Sequence, residues 1–152
     1  MKVIVVGPRG KMGRLITQIA AGRDDLQLVA GVAPKGRDYI GKDLGAVTAV
    51  GYDLGVPVVD DLGTVIDECD VIIDFSTKEM AMEVVKLAIE HKKALVCGTT
   101  GFSAEEFAEF EKAAEFIPML YAANTSKLVN VMNKLLELVA KTVGEELDIE
   151  IL

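Results

Sequence analysis

MKVIVVGPRGKMGRLI, residues 1–16, decides how the rest of the chain is read. KVIVV, 2–6, is a continuous apolar run of the kind expected for a strand buried on both faces. Three evenly spaced glycines follow, Gly7, Gly10 and Gly13, and a helical pattern over 11–22 carries Leu15, Ile16 and Ile19 on one side. Glycine permits a tight turn and lets a ligand approach the backbone closely. The amino end of the helix offers unpaired N–H groups and about half a positive charge, which suits a pyrophosphate. The competing reading is a tight turn that serves helix packing alone. The context required of a binding loop is met here, with a strand before the glycines and a helix after them.

The spacing is G-x-x-G-x-x-G rather than the commoner G-x-G-x-x-G, so Arg9 stands where a middle glycine would be. Arg9 either crowds a phosphate or donates to it. Lys11 and Arg14 add positive charge to the first turn. Gly7, Gly10, Lys11, Met12 and Gly13 are the expected backbone contacts of a dinucleotide.

Further along, apolar runs and helical patterns alternate. LQLVAGVA (26–33), DVIIDF (70–75), ALVCG (94–98) and PMLYAA (118–123) read as strands. Helices are expected over 61–69 from an Asp cap, over 78–91 capped by Ser76 or Thr77, and over 103–115. In the last of these, Ser103 and Glu106 form a capping box. A long helix is expected over 126–144, ended by Gly144, and LDIEIL (147–152) alternates as a final strand. Residues 34–56 hold five glycines and read as a long, mobile loop with one short helical turn. This β-α-β-α rhythm predicts a single α/β domain, a doubly wound parallel sheet of Rossmann-like type. Ligands of such sheets sit beyond the carboxyl ends of the strands. The crevice is expected above strands 2–6 and 94–98.

Composition narrows the function. The chain has 152 residues, one domain's worth, and half of them are apolar. A formal charge of −8 argues against nucleic acid, which wants a basic face. No stretch approaches the roughly 20 apolar residues of a membrane span, and the first residues lack the features of a signal peptide. Cys69 and Cys97 lie in apolar runs and read as reduced core thiols of a cytoplasmic protein. His91 is the single histidine and has no ligand cluster around it, so no metal site is expected.

The strand ends supply the remaining candidates. An acid after the second strand would accept from the ribose 2′-hydroxyl of NAD. Here stand Ala33, Pro34, Lys35, Gly36 and Arg37, with no acid before Asp38. That pattern leans towards NADP, whose 2′-phosphate Lys35 would neutralise; the alternative is that Lys35 and Arg37 are solvated loop charges. Asp74, Phe75, Ser76 and Thr77 close the strand at 70–75, with helix capping as the competing role of Asp74 and Ser76. Gly98, Thr99, Thr100 and Gly101 offer backbone and hydroxyls together. Ala123 and Asn124 end the 118–123 strand, and Asn124 either bonds an amide or caps the long helix.

GPRGKMG, VIIDFST, VCGTTGF, YAANTSKLVNVMNKLLE and DIEI, in this order and spacing, resemble dihydrodipicolinate reductase, the reductase of the diaminopimelate–lysine pathway. The resemblance runs over essentially the whole chain. It implies NADPH or NADH at the glycine loop, the nicotinamide end near the segments matching GTTG and AAN, and a cytoplasmic homotetramer. It also implies that Gly98, Thr99 and Thr100 line the nicotinamide side, with Asn124 nearby. Thr125 and Leu128 stand where the family usually has an aromatic residue and a glycine. The family's His-His segment, catalytic Lys and Ser-Gly-Thr motif follow the strand matching DIEI and have no counterpart in 1–152. Residues 1–125 are therefore expected to form a dinucleotide-binding domain. Residues 126–152 are read as the link to a substrate domain and a homo-oligomer contact, and no catalytic residue is assigned. A separate polypeptide supplying the substrate half is a further expectation. The alternatives are a non-catalytic nucleotide-binding or regulatory module, and the cofactor half of a related amino-acid dehydrogenase.

Overall fold

The computed structural model describes residues 1–144, 148 and 150. The chain divides into two compact units, Met1–Tyr121 and Ala122–Leu152. The first unit holds strands β1 (Lys2–Val6), β2 (Gln27–Val32), β3 (Val58–Val59), β4 (Val71–Asp74), β5 (Ala94–Cys97) and β6 (Met119–Tyr121). Its helices are α1 (Lys11–Ala21), α2 (Leu44–Thr48), α3 (Lys78–Glu90) and α4 (Ala104–Ala113).

All six strands pair in parallel in the order β3-β2-β1-β4-β5-β6. The chain winds outward from β1 to β3, returns to β4 on the other side of β1, and winds outward again. This is the doubly wound Rossmann topology, and its switch point lies between β1 and β4. The crevice therefore opens above 2–6 and 71–74. The second wall expected from the sequence, the strand at 94–98, lies one strand further out, because β4 and not β5 pairs with β1.

Side-chain alternation along β1 explains why the run is apolar throughout. Ile4 and Val6 enter one buried cluster with Ile72, Ala81, Val84, Val85 and Phe110, on the side of α3 and α4. Val3 and Val5 enter the other with Leu28, Leu44 and Ala20, on the side of α1 and α2. A strand covered by helices on both faces has no polar side to present.

α1 packs through small residues. Gly13, Thr17 and Ala20 are its buried positions, whereas Leu15 and Ile19 are exposed. Thr17 satisfies its hydroxyl by donating to the Gly13 carbonyl at 2.9 Å. The helix expected over 61–69 is instead two successive 3₁₀ turns, Leu62–Thr64 and Ile66–Glu68. Gly63 and the β-branched run Thr64, Val65 and Ile66 disfavour a continued α-helix, and Val65 at φ −127° breaks it. β3 is only two residues long and falls next to the segment read as a loop. Within that segment Asp43 acts as a staple. Its carboxylate accepts from the N–H groups of Gly45 (2.7 Å), Leu54 (2.9 Å) and Val56 (3.1 Å). The capping box is present: Ser103 accepts from Glu106 N–H, and Glu106 accepts from Ser103 N–H.

In the second unit, α5 spans Lys127–Val143. Ser126 caps it by accepting from Val129 N–H, and Gly144, at φ +54°, closes it. No residue of α5 is buried. The strand read over 147–152 falls largely outside the described residues. Among those described, no helix is long and apolar enough to cross a membrane.

Candidate functional site

The carboxyl ends of β1 and β4 bring the glycine turn against residues 75–76. Gly7 has φ +75°, and a Cβ on it would stand 2.7 Å from the Phe75 carbonyl oxygen. A Cβ on Gly13 would overlap the Gly7 carbonyl oxygen. Both glycines are thus demanded by the turn itself. Gly10 differs. Its backbone is ordinary, at φ −65° and ψ 162°, and its nearest Cβ neighbour would be Gly7 O at 3.2 Å.

Gly10 caps α1 without a side-chain bond, and the first helical bond runs from Arg14 N–H to Gly10 O at 3.0 Å. The N–H groups of Lys11, Met12 and Gly13 precede that bond and have no intrahelical acceptor. The first turn contains no acid, so no side chain neutralises the positive end of the dipole.

A cavity of about 290 Å³ opens at this helix end, between Lys11 and Met12, residues 75–78 and residues 98–100. Seven of the sequence candidates come together there or at its glycine wall: Lys11, Met12, Phe75, Ser76, Gly98, Thr99 and Thr100. Gly98 has a packing reason for its identity, since a Cβ would overlap the Phe75 ring. Thr77 also lines a second cavity, of about 370 Å³, shared with Pro34, Lys35, Asp60, Met80 and Glu83. The two cavities together trace a groove from Lys35 past Thr77 to the 98–100 loop.

Beneath the first cavity lies a polar knot. Asp74 is 1% exposed. Ser76 Oγ donates to its Oδ1 at 2.5 Å, Thr99 Oγ1 to Oδ2 at 2.8 Å, and Cys97 Sγ to Oδ2 at 3.4 Å. Thr99 Oγ1 in turn accepts from Ser76 N–H at 3.0 Å. The knot ties the loop after β4 to the loop after β5. Burial pushes the Asp74 carboxyl up, against the pull of the Ser76, Thr99 and Cys97 donors. Burial, then the Asp74 charge, pushes the Cys97 thiol up to about 12, so it stays protonated and donates. Of the two capping candidates, Thr77 caps α3 by accepting from Met80 N–H at 3.4 Å, and Ser76 serves Asp74.

Arg9 is not among the residues that line the 75–78 cavity. Its guanidinium pairs with Asp38 at 2.7 Å and lies over the Tyr39 ring, 4.9 Å from the centroid. With Arg14 and Lys42 it lines a separate cavity of about 300 Å³. Tyr39 and Lys42 carry no motif that would have singled them out. Ala123 and Asn124 belong to the second unit. There Asn124 Oδ1 accepts from Ser126 N–H at 2.8 Å and its carbonyl accepts from Asn130 Nδ2 at 3.1 Å, so the side chain shapes the entry into α5. Among the described residues, no group of three or more His, Cys, Asp or Glu could hold a metal.

The family model described as dihydrodipicolinate reductase, N-terminus, matches residues 1–125. The 4-hydroxy-tetrahydrodipicolinate reductase of Syntrophus aciditrophicus (strain SB) is 42% identical over 152 residues, covering 100% of this chain and 56% of that protein. The protein of the same name from Acinetobacter baumannii (strain AYE) is 42% identical over 151 residues, covering 99% and 55%. Among solved structures, dipicolinate-bound dihydrodipicolinate reductase from Paenisporosarcina sp. TG-14 superposes with a TM-score of 0.72 at 29% identity, over 92% of this chain and 53% of that one. A biliverdin reductase from Synechocystis sp. PCC 6803 shares the fold alone, with a TM-score of 0.63 at 14% identity over 79% of this chain and 37% of that one. The chain thus spans about half the length of the curated relatives it matches, and it belongs to the dihydrodipicolinate reductase family, to whose amino-terminal, Rossmann-type domain residues 1–125 correspond.

Proposed function

We propose that this chain holds NADPH or NADH in the groove between the glycine turn, residues 75–78 and residues 98–100, as the cofactor-binding part of a 4-hydroxy-tetrahydrodipicolinate reductase. The observation that carries the reading is the bare amino end of α1, uncapped by any side chain and free of acids, opening onto a cavity whose other wall is the 98–100 loop. In this reading the N–H groups of Lys11, Met12 and Gly13 bind the pyrophosphate, with Gly7 and Gly10 providing the approach. Phe75, Ser76, Gly98, Thr99 and Thr100 line the nicotinamide end, to which family resemblance adds Ala123 and Asn124. Lys35, at the other end of the groove, faces the adenosine ribose. Asp60, Glu79 and Glu83 line that end too, so an added 2′-phosphate would meet one cation and three acids, and the lean towards NADP rests on Lys35.

Reduction of the dicarboxylate ring is the activity of the full-length relatives, and we assign to this chain the cofactor half of it. α5 supports a further reading, self-association through 126–152. Leu128, Val131, Leu135 and Leu138 recur along it at helical spacing and all are exposed. Light scattering behind a sizing column tests this, and a monomer at high micromolar concentration refutes it.

Titration of the chain with NADPH and with NADH, followed by nicotinamide fluorescence, tests the main reading. Saturable micromolar binding is expected. Absence of binding by either overturns it.

A further inference from the structure

Asp74 is the one buried carboxylate among the described residues, and packing alone does not account for it. Both of its oxygens accept hydrogen bonds, and each partner is able to donate. Thr99 Oγ1 already accepts from Ser76 N–H, which leaves its own proton for Asp74. Cys97 is a thiol at neutral pH. This pattern of donors suits an ionised carboxylate, because a protonated one would force a hydroxyl to turn away. Yet no Lys or Arg among the described residues lies within ion-pair distance of it. Lys78, which lines the cavity above, is engaged by Glu106 at 3.3 Å. A buried, uncompensated charge is costly, and an apolar side chain would have closed the same space more cheaply.

The charge stands directly behind Ser76 and Thr99, which line the cavity. Reduced and oxidised nicotinamide differ by one positive charge on the ring. A fixed negative charge behind the wall discriminates between them, since the interior screens it far less than water would. We propose that Asp74 is an electrostatic positioning residue that favours the oxidised, cationic nicotinamide over the reduced one, and so sets the reduction potential of the bound cofactor. The proposal rests on the reading that the 98–100 end of the groove holds the nicotinamide.

The test compares dissociation constants for NADP⁺ and NADPH, and for NAD⁺ and NADH, in the wild-type chain and in Asp74→Asn. Asparagine keeps nearly the same shape and removes the charge. The ratio of the oxidised to the reduced constant is expected to rise about tenfold in the variant, the size of a unit-charge interaction over roughly 10 Å of protein. Asp67→Asn, which removes an exposed carboxylate charge outside the groove, is expected to leave the ratio unchanged. Should Asp74→Asn fail to fold by circular dichroism, Asp74→Ser removes the same charge and leaves room for water. If both constants change by one common factor, Asp74 is a structural tie and the proposal is overturned alone. If the wild-type chain binds no nicotinamide nucleotide, the binding reading falls and the proposal falls with it.

Discussion

Replacing Gly10 with Val separates the two uses of a glycine turn. The Cβ of residue 10 would point between the turn and the loop after β4, 3.2 Å from Gly7 O and 3.9 Å from Phe75 O. That is close but not overlapping, and the φ of −65° suits any residue. The cost to the fold is that of a poor residue at a helix cap, about 1 kcal/mol or less. The cost to a ligand is larger, because two methyl groups would occupy the approach to the Lys11 and Met12 N–H groups. A charge-assisted hydrogen bond contributes about 1.5 kcal/mol at the low end, so losing two costs about 3 kcal/mol, or roughly 100-fold in affinity. Fluorescence titration with NADPH reads the loss, and thermal melting confirms that the variant is folded. A folded Gly10→Val chain that binds NADPH within about threefold of wild type refutes the assignment of the glycine turn as the pyrophosphate site.

Gly13→Ala should behave in the opposite way: its Cβ overlaps the Gly7 carbonyl and lies 2.8 Å from Pro8 Cα, so a loss of about 1–3 kcal/mol in stability, read by denaturant unfolding, is expected. Asp43→Ala removes the acceptor of three backbone N–H groups and should cost about 1–3 kcal/mol at pH 7. Burial raises the Asp43 pKa, but the Leu54, Gly45 and Val56 donors outweigh it and hold the carboxyl below the usual range. Because its folded pKa is the lower one, this stabilisation is complete above the ordinary Asp pKa. It fades as pH falls through the folded value, so wild type and Asp43→Ala should converge in stability in strong acid and differ most near neutrality. Lys35→Glu should weaken NADPH more than NADH, read as the ratio of their dissociation constants; an unchanged ratio makes Lys35 a solvated loop charge.

Much of this fold was legible because its signals are local. The apolar run at 2–6 needs helices on both sheet faces, and the clusters around Ile4 and Val3 supply them. Ser103 and Glu106, three residues apart, form their capping box as their types require. What could not be read is set by distant partners. β3 is a strand only because Gly31 and Val32 pair with it, and two residues carry no periodicity. Arg9 occupies a glycine's place in the motif, but Asp38 and Tyr39 decide where its guanidinium goes. Ser76 and Thr77 are equally good caps on paper, and Thr99 and Asp74 settle which of them is free to be one. The buried side of α1 followed closeness of approach rather than hydrophobicity, so Thr17 went in and Ile19 stayed out.

The competing account of the opening motif, a turn built for packing alone, explains two of the three glycines. Gly7 needs its positive φ and its contact with Phe75 O, and Gly13 is forced by the Gly7 carbonyl. Gly98 is likewise fixed by the Phe75 ring. Each of these would be glycine in a scaffold that bound nothing. Gly10 has neither a left-handed backbone nor an overlapping neighbour, a Cβ there standing close at 3.2 Å from Gly7 O, and serine would cap α1 there with some gain. A serine at that position would also turn its hydroxyl onto the N–H groups of the first turn and consume them. Glycine leaves those donors unused by the protein, at the bare end of a helix with no acid in its first turn. Packing gives no reason for that arrangement, whereas an anionic ligand does. The binding reading therefore depends on Gly10 more than on the motif as a whole, and the Gly10→Val titration tests it at the position where the two accounts diverge.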